Sequence, residues 1–394
     1  MKILIVSPGR LPVPASRGGA VETLIDLLLE YNERYARHEI YVVSVWDREA
    51  EFMSRSYKHT KFLYIKQNRL TTFVSEHHII PFRMLDYFYT TKVLKAFSSK
   101  TVSLDCIAIQ NELVNGYVMK RKLKGRYIYH AHNDTFEEKR KKDREFLRTC
   151  SKVITVSRFL EKELIDKAKL DNTEVVYNGI DTALFTRAGN EIRAAKRRND
   201  YEIGEEDFVI AFAGRLVEEK GIHVLLEALS LIPQEYRVVL LIIGSSFFGK
   251  NRETNYIRSL KQTCAASKQR IIFTGYVEHN EMPVYYAMAD AGCVPSLWDE
   301  PFGLTVAEQM SMELPVITTD AGAIPEIADS FCGYIFHRDS NLSRNIASAI
   351  MELEKDVIKR KEMGKKARQV IEKQFSREVF CERWFRSVQI GELE

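Results

Sequence analysis

The sequence predicts an α/β protein built from two doubly wound parallel sheets, one in each half of the chain. Short apolar segments rich in β-branched residues recur along the whole length, and helix-length amphipathic segments separate most of them. The chain has 394 residues, more than the roughly 250–300 at which a single hydrophobic core stops growing. Hydrophobic residues make up 45% and charged residues 28%, which is typical of a globular protein and excludes a fibrous or disordered one.

Thirteen segments have the composition of buried strands. In the first half they are residues 2–7, 39–46, 61–66, 105–110, 126–132, 152–157 and 174–179. In the second half they are residues 208–215, 237–244, 270–275, 291–296, 315–320 and 333–337. The polar stretch between the two series, residues 181–207, contains no strand-like run. We therefore predict an amino-terminal domain of residues 1–180 and a carboxyl-terminal domain of residues 181–375, joined at the sequence NGID (178–181).

The last segment, residues 376–394, has the pattern of an amphipathic helix. Phe380, Trp384 and either Val388 or Phe385 recur at helical spacing, which predicts a buried aromatic stripe. We expect this helix to cross back onto the amino-terminal domain.

The two halves differ in the sign of their charge. Residues 1–180 contain 31 Lys and Arg against 22 Asp and Glu, a net charge of +9, whereas residues 181–394 contain 27 against 32, a net charge of −5. The basic runs at 120–126 and 139–144 fit either contact with an anionic partner, such as a membrane surface, or a solvated helix face.

The cysteines and the amino terminus bear on location. The six cysteines are isolated, so the sequence predicts neither a disulfide framework nor a zinc site and favours a reducing cytoplasm. The apolar run at residues 3–6 is shorter than the roughly 7–15 residues of a signal-peptide core, and it is interpreted as a first strand.

The segment EPFGLTVAE (300–308) is the first candidate for ligand binding, because ligands of open parallel sheets bind beyond the carboxyl ends of the strands. Pro and Gly beside the first glutamate predict a helix start, whose unpaired N–H groups attract phosphate. The residues at this start are Phe302, Gly303, Leu304 and Thr305. Glu308, one turn deeper, could accept hydrogen bonds from ribose hydroxyls, with Glu300 at the other end. The alternative is a helix cap formed by Asp299 or Glu300, with Glu308 in solvent.

Arg215 and Lys220, in the segment AGRLVEEKG (213–221), are the second candidate. The two cations follow a predicted buried strand, and together they suit the oxygens of a departing diphosphate without any metal. The alternative is a pair of exposed loop cations.

Two further strand ends carry residues that packing alone does not require. Gly18 and Gly19 would permit close approach of a ligand to the backbone, but they do not form the G-x-G-x-x-G dinucleotide fingerprint. His130 and His132 lie on one face of a strand, where His132 is expected to be functional and the alternative is a histidine satisfied in the core. No third ligand for a metal site accompanies them.

Together these motifs resemble glycosyltransferase family 4, whose members have the GT-B fold: two Rossmann-like domains facing across a cleft. The resemblance covers nearly the whole chain. It includes the first glycine loop, the histidine strand end, residues 155–159, 178–181, 213–221, 273–277, 300–308 and 322–327. Residues 244–256 resemble the spore-coat and cell-surface members, whereas Ala323 stands where many members have glycine.

The resemblance implies a retaining enzyme that uses a nucleotide-diphosphate sugar. Arg215 and Lys220 would hold the diphosphate, Glu308 the ribose and Glu300 a sugar hydroxyl, while His132 would face the reacting sugar. The remaining donor-site residues implied are Gly18, Gly19, Gly214, Gly244, Tyr276 and Val277, of which the last two would bind the base through their backbone groups. The sequence contains no Asp-x-Asp motif, and no metal or other cofactor is expected.

We therefore expect transfer from a UDP-linked sugar to a glycan, lipid-linked or polyanionic acceptor in bacterial cell-surface glycan synthesis. The protein is expected in the cytoplasm, in peripheral contact with the anionic inner face of the membrane, with no nucleic-acid partner. The alternative is a non-catalytic GT-B partner or coat protein that binds a nucleotide sugar. An epimerase or a phosphorylase fits less well, since the first has a different carboxylate and histidine pattern and the second a much longer chain with a pyridoxal-binding lysine.

Overall fold

The computed structural model describes residues 1–66, 81–98, 103–245, 254–265 and 267–389, and its contacts divide the chain into two compact units. Unit 1 comprises Met1–Gly179 together with Phe380–Glu394, and unit 2 comprises Ile180–Val379. The predicted domain boundary, between residues 180 and 181, lies one residue from this division. Of the stretches singled out above, residues 246–253 and 390–394 lie outside the described residues.

Unit 1 contains a parallel sheet of seven strands in the order β3-β2-β1-β4-β5-β6-β7. The strands are β1 (Lys2–Val6), β2 (Glu39–Val45), β3 (Thr60–Ile65), β4 (Cys106–Gln110), β5 (Arg126–Ala131), β6 (Lys152–Thr155) and β7 (Thr173–Val175). The described helices are α1 (Ala20–Tyr35), α2 (Arg48–Met53), α3 (Phe82–Ser98), α4 (Leu113–Met119), α5 (Lys141–Thr149) and α6 (Arg158–Ala168), with α14 (Arg377–Gln389) at the carboxyl end.

Unit 2 contains a parallel sheet of six strands in the order β10-β9-β8-β11-β12-β13. The strands are β8 (Phe208–Ala213), β9 (Val238–Ile243), β10 (Arg270–Gly275), β11 (Ala291–Val294), β12 (Val316–Thr319) and β13 (Gly333–Phe336). The described helices are α7 (Glu191–Asp200), α8 (Ile222–Ser230), α9 (Asn255–Ala265), α10 (Met282–Ala287), α11 (Leu304–Ser311), α12 (Leu342–Lys355) and α13 (Val357–Gln374).

The strands form because their side chains are apolar on both faces, as expected of a parallel sheet covered by helices on either side. Every residue of β8 and of β9 is buried. In unit 1, the carboxyl-terminal helix α14 completes the core: the side chains of Phe380, Trp384 and Val388 are buried against residues of α1, β1 and β2. Trp384 is one of the largest fully buried side chains in the described chain.

The predicted fold class is confirmed, and each of the thirteen predicted strand segments overlaps a strand. The observed strands are often shorter at their carboxyl ends, because loop residues there turn away to form the edge that carries the candidate site. In both sheets the order reverses beside the first strand of the unit, between β1 and β4 and between β8 and β11. Such topological switch points are where ligands bind in doubly wound sheets. None of the described helices combines the length and the apolar character that a bilayer span requires.

Candidate functional site

Three glycines end three neighbouring strands of unit 2. Gly214 follows β8, Gly244 follows β9 and Gly275 ends β10, and all three have positive φ angles, of 151°, 137° and 74°. A Cβ atom on Gly244 would lie 2.1 Å from the carbonyl oxygen of Gly214. A side chain is therefore excluded at Gly244, and the positive φ angles disfavour one at Gly214 and Gly275, so this edge of the sheet presents backbone.

The loops that follow β8 and β11 pack directly on each other. The N–H of Leu297 donates to the carbonyl of Glu219 at 2.9 Å. A Cβ atom on Gly221, which has a φ of +69°, would lie 1.9 Å from the carbonyl oxygen of Pro295. These contacts at the switch point bring two distant sequence motifs together.

Lys220 and Glu300 form an ion pair where these loops meet. The Lys220 Nζ lies 2.5 Å from the Glu300 Oε1, and the Ser296 hydroxyl donates to the same oxygen at 2.7 Å. The Glu300 side chain is buried, whereas that of Lys220 is about one-fifth exposed. A buried carboxylate held by a cation and a hydroxyl has a fixed orientation, and the exposed part of the lysine faces solvent, where an anion can approach.

Arg215 behaves differently from Lys220. It lies in the same loop but is exposed, and its side chain makes no hydrogen bond or ion pair with another described residue. The structure thus joins Lys220 to Glu300 and leaves Arg215 exposed to solvent. For Arg215, this exposure is also what the alternative of an exposed loop cation predicts.

Helix α11 begins at Leu304 without a side-chain cap. Its N-cap residue is Gly303, with a φ of 103°, and the N–H groups of Gly303, Leu304 and Thr305 donate to no other residue in the described ranges. Asp299, considered above as a cap, instead accepts from the N–H of Gly322 at 3.1 Å. The cap alternative is therefore wrong, and the unpaired donors with the positive end of the helix dipole can receive an anion.

The loop after β12 packs against the backbone of Glu300. The N–H of Ala323 donates to the Glu300 carbonyl at 2.8 Å, and a Cβ atom on Gly322 would lie 2.4 Å from that same oxygen. Gly322 has a φ of +58°. Ala323 is fully buried with ordinary right-handed dihedral angles, so a glycine is not needed at that position.

Glu308 is buried, contrary to the alternative that placed it in solvent. Its Oε2 accepts a hydrogen bond from the Tyr286 hydroxyl at 3.0 Å, and its Oε1 lies 3.2 Å from the His279 Nε2. Burial, and then the Glu308 charge, raise the pKa of the fully buried Tyr286 well above its usual value, so that its hydroxyl remains a donor. Neither partner was predicted from the sequence.

Tyr276 and Val277 follow β10 and are half-buried. The Tyr276 hydroxyl lies 3.4 Å from a carboxylate oxygen of Glu278. The N–H and C=O groups of Val277 form no hydrogen bond with the part of the chain described here. The Val277 backbone is thus open to a ligand with matching donors and acceptors.

In unit 1, the glycine pair after β1 has a structural explanation. Gly18 and Gly19 have φ angles of 69° and 108°, and Gly19 is the N-cap of α1. A Cβ atom on Gly19 would lie 2.3 Å from the Oε2 of Glu22, a buried residue whose pKa is raised to about 7 by burial. The space above Gly19 is therefore taken by a side chain of the same helix.

His130 and His132 lie where β5 ends, with ring centroids 4.1 Å apart. The His132 Nε2 is 2.8 Å from the Oε1 of Gln110, at the end of the neighbouring strand β4. Burial lowers the pKa of His132 to about 3 and that of His130 well below its usual value, so both rings are neutral near pH 7. The His132 Nδ1 is buried and has no partner in the described residues.

Each half of the chain matches the model of a protein family. Residues 17–184 match Glycosyltransferase Family 4, and residues 194–370 match Glycosyl transferases group 1. Spore coat protein SA of Bacillus subtilis (strain 168) is 27% identical over 387 residues, which cover 95% of this chain and 96% of that protein. The capsular polysaccharide biosynthesis glycosyltransferase CapM of Staphylococcus aureus is 26% identical over 239 residues, covering 58% of this chain and 59% of CapM.

Solved structures share the fold. The crystal structure of HepE from Anabaena in complex with UDP-glucose superposes with a TM-score of 0.76 at 22% identity, covering 98% of this chain and 99% of HepE. The two parallel sheets, their switch points and the two family matches agree with one another. The chain therefore belongs to glycosyltransferase family 4, and it is a glycosyltransferase with two Rossmann-like GT-B domains.

Proposed function

We propose that the protein is a retaining glycosyltransferase that transfers a sugar from a UDP-linked donor to an acceptor in bacterial cell-surface glycan assembly. The observation that carries this proposal is the Lys220–Glu300 pair beside the uncapped start of α11, at the switch point of the unit 2 sheet. A cation and unpaired N–H donors at one strand edge suit a diphosphate, and a fixed carboxylate suits a sugar hydroxyl.

The diphosphate is held by three kinds of donor in this proposal. The N–H groups of Gly303, Leu304 and Thr305 bind its oxygens, Lys220 supplies a compact charge, and Arg215 closes onto it from solvent. The planar guanidinium of Arg215 can bind two phosphate oxygens at once. No metal is needed in this arrangement, because the cations and the helix dipole offset the charge of the diphosphate.

The nucleoside and the sugar are bound by neighbouring residues in this proposal. Glu308, fixed by Tyr286 and His279, accepts hydrogen bonds from the ribose hydroxyls, and the backbone of Tyr276 and Val277 pairs with the base. The bare backbone at Gly214 and Gly244 lets the donor approach the sheet. The complex of HepE with UDP-glucose supports a UDP-linked donor.

The proposed reaction occurs on one face of the sugar. The bond between the anomeric carbon and the phosphate oxygen breaks, the acceptor oxygen bonds to the same face of that carbon, and the acceptor proton passes to the leaving phosphate. Lys220 and the α11 amides stabilise the negative charge that develops on the diphosphate, which is where differential stabilisation lowers the barrier. Glu300 holds a hydroxyl of the transferred sugar, and His132 is proposed to contact that sugar as a neutral imidazole.

The acceptor is proposed to be a glycan, lipid-linked or polyanionic. Resemblance to a spore coat protein and to a capsular polysaccharide glycosyltransferase supports a role in surface glycan synthesis. The net charge of +9 in residues 1–180 supports peripheral contact with the anionic inner face of the membrane from the cytoplasm.

The proposal is tested by incubating the purified protein with UDP-, GDP- and ADP-linked hexoses and measuring nucleotide release without acceptor. We expect release from a UDP-hexose and its loss in Glu300→Gln. A donor that raises the melting temperature but is never hydrolysed or transferred, even with candidate acceptors, would favour the non-catalytic alternative. Nuclear magnetic resonance of a transferred product would show an inverted anomeric centre if the retaining assignment were wrong.

A further inference from the structure

Helix α3 is apolar on its buried face and also on part of its exposed face. Tyr89, Val93 and Phe97 are buried. On the opposite side Met84, Tyr87 and Phe88 are 48%, 50% and 47% exposed. Their spacing of three and four residues places them on one face, which continues through the exposed residues Thr91 and Lys95. We call these five residues the exposed α3 face. A surface helix with only water beside it would normally carry charges there.

The exposed α3 face carries no acidic residue. The only acidic residue of α3 is Asp86, which is buried and accepts a hydrogen bond from Arg10 at 3.2 Å. The charged residues in the second half of the helix, Lys92 and Lys95, are both cations. An aromatic face followed by lysines is complementary to a surface that combines apolar groups with negative charge.

A second group of exposed aromatic residues lies next to this face. The Lys92 Nζ donates to the carbonyl of Lys66 at 3.2 Å, and the Lys66 Nζ lies 5.4 Å from the ring centroid of Trp46. Trp46 and Phe52 are both exposed, and the Arg55 guanidinium lies 6.0 Å from the Phe52 ring. A cation thus lies over each ring, but this group differs from the exposed α3 face in including an acidic residue, because the Trp46 Nε1 donates to the carboxylate of the exposed Glu51 at 3.0 Å.

The helix is fixed in position, so the face is not presented by a loose segment. Arg83 at its start forms two hydrogen bonds with the buried carboxylate of Asp143, at 2.8 and 2.7 Å. Thr90 donates to the Asn115 Oδ1 at 2.7 Å. The exposed aromatic residues therefore have little freedom to fold back onto their own unit.

From these observations we infer that the exposed α3 face is the surface by which the protein docks on an anionic lipid bilayer. Tyr, Trp, Phe and Met side chains enter the headgroup region of a membrane, while Lys and Arg side chains reach the lipid phosphates. The absence of acidic residues on the face and the net charge of +9 in residues 1–180 favour this partner over a protein surface. The inference rests on the peripheral membrane contact proposed above and names its surface.

The test uses the full-length protein and vesicles of phosphatidylcholine with or without 30% phosphatidylglycerol, sedimented at low and at high salt. The variant Tyr87→Ser/Phe88→Ser removes the aromatic groups. A matched control, Ile192→Ser/Ile358→Ser, removes two apolar side chains of unit 2 that are 86% and 74% exposed. We expect the wild type and the control to bind the anionic vesicles equally, and the α3 variant to bind at least about tenfold more weakly.

Three results would overturn the inference: no binding of the wild type to anionic vesicles, equal binding of the α3 variant, or an equal loss in the control. A wild-type dimer that the α3 variant converts to a monomer in light scattering would likewise overturn it, because the face would then join two copies. Nucleotide release from a UDP-hexose, measured in solution on the same samples, separates this test from that of the proposed function. Activity without vesicle binding rejects the docking surface and the peripheral membrane contact but leaves the catalytic proposal intact, whereas vesicle binding without activity rejects only the catalytic proposal.

Discussion

Replacing Lys220 by Met separates the structural role of the Lys220–Glu300 pair from its proposed catalytic role. The variant leaves the buried Glu300 carboxylate with the Ser296 hydroxyl, at 2.7 Å, on the oxygen that the lysine had shared. Breaking a fully buried pair costs about 3–5 kcal/mol, and the partial exposure of Lys220 reduces our expectation to about 2 kcal/mol. For a domain of this size, that corresponds to a fall in melting temperature of about 4–8 °C.

The double variant Lys220→Met/Glu300→Gln provides the control. With the uncompensated charge removed, we expect it to regain at least half of the lost melting temperature. Nucleotide release from the UDP-hexose should nevertheless stay about 10²–10³ below wild type in both variants, because the diphosphate has lost a cation. Melting curves and release rates are measured on the same samples. Wild-type turnover in Lys220→Met, or recovery of turnover in the double variant, would refute the reasoning.

Three further predictions concern the surrounding residues. Arg215→Ala should weaken UDP binding at least tenfold by calorimetry without lowering the melting temperature, since Arg215 is exposed; unchanged affinity would exclude it from the site. Gly244→Ala should lower the free energy of unfolding in urea by more than about 2 kcal/mol, because its Cβ would lie 2.1 Å from a carbonyl oxygen. The control Gly189→Ala, where φ is +84° but no atom lies within 4 Å, should lower it by about 1 kcal/mol. Equal losses in the two variants would contradict the packing argument. Burial gives His130 and His132 native pKa values below the ordinary 6.5, so below that pH the unfolded chain binds protons that the native state does not. The free energy of unfolding should therefore fall below pH 6.5 by about 1.4 kcal/mol per pH unit for each histidine. Urea midpoints at pH 8 and 5 measure this fall, and an unaltered pH slope in His132→Gln would refute the prediction.

Sequence alone predicted the fold because the strands of both units are apolar on both faces. The predicted positions of the strand ends were less accurate. The segment 152–157 was predicted as a strand, but β6 stops at Thr155 because the Ser157 hydroxyl accepts from the N–H of Leu160 and caps α6. In the same way β11 stops at Val294, and Ser296 turns to donate to Glu300.

The composition of the site was less accessible from sequence than its location. The motif 300–308 showed a helix start with two glutamates, and the structure places both of them in buried positions. It gave no sign that Tyr286 and His279 hold Glu308, because those partners come from α10 and from the loop after β10. These contacts depend on how helices and loops pack beyond the strand ends, which a local pattern does not encode.

Gly19 shows the opposite case, in which a pattern suggested a ligand and the structure supplies a packing reason. The glycine pair was interpreted as room for close approach of a donor, whereas the Glu22 carboxylate already occupies the space above Gly19. A glycine signals only that a side chain is excluded, and the sequence does not say whether a ligand or another part of the chain excludes it.

The most direct test of diphosphate binding at the start of α11 is to record amide resonances of isotope-labelled protein during titration with UDP and, separately, with uridine. We predict that the N–H signals of Gly303, Leu304 and Thr305 move on addition of UDP and stay in place with uridine, since only UDP carries the diphosphate. Amide signals that respond equally to both ligands, or to neither while UDP is bound, would contradict the claim that the start of α11 binds the diphosphate.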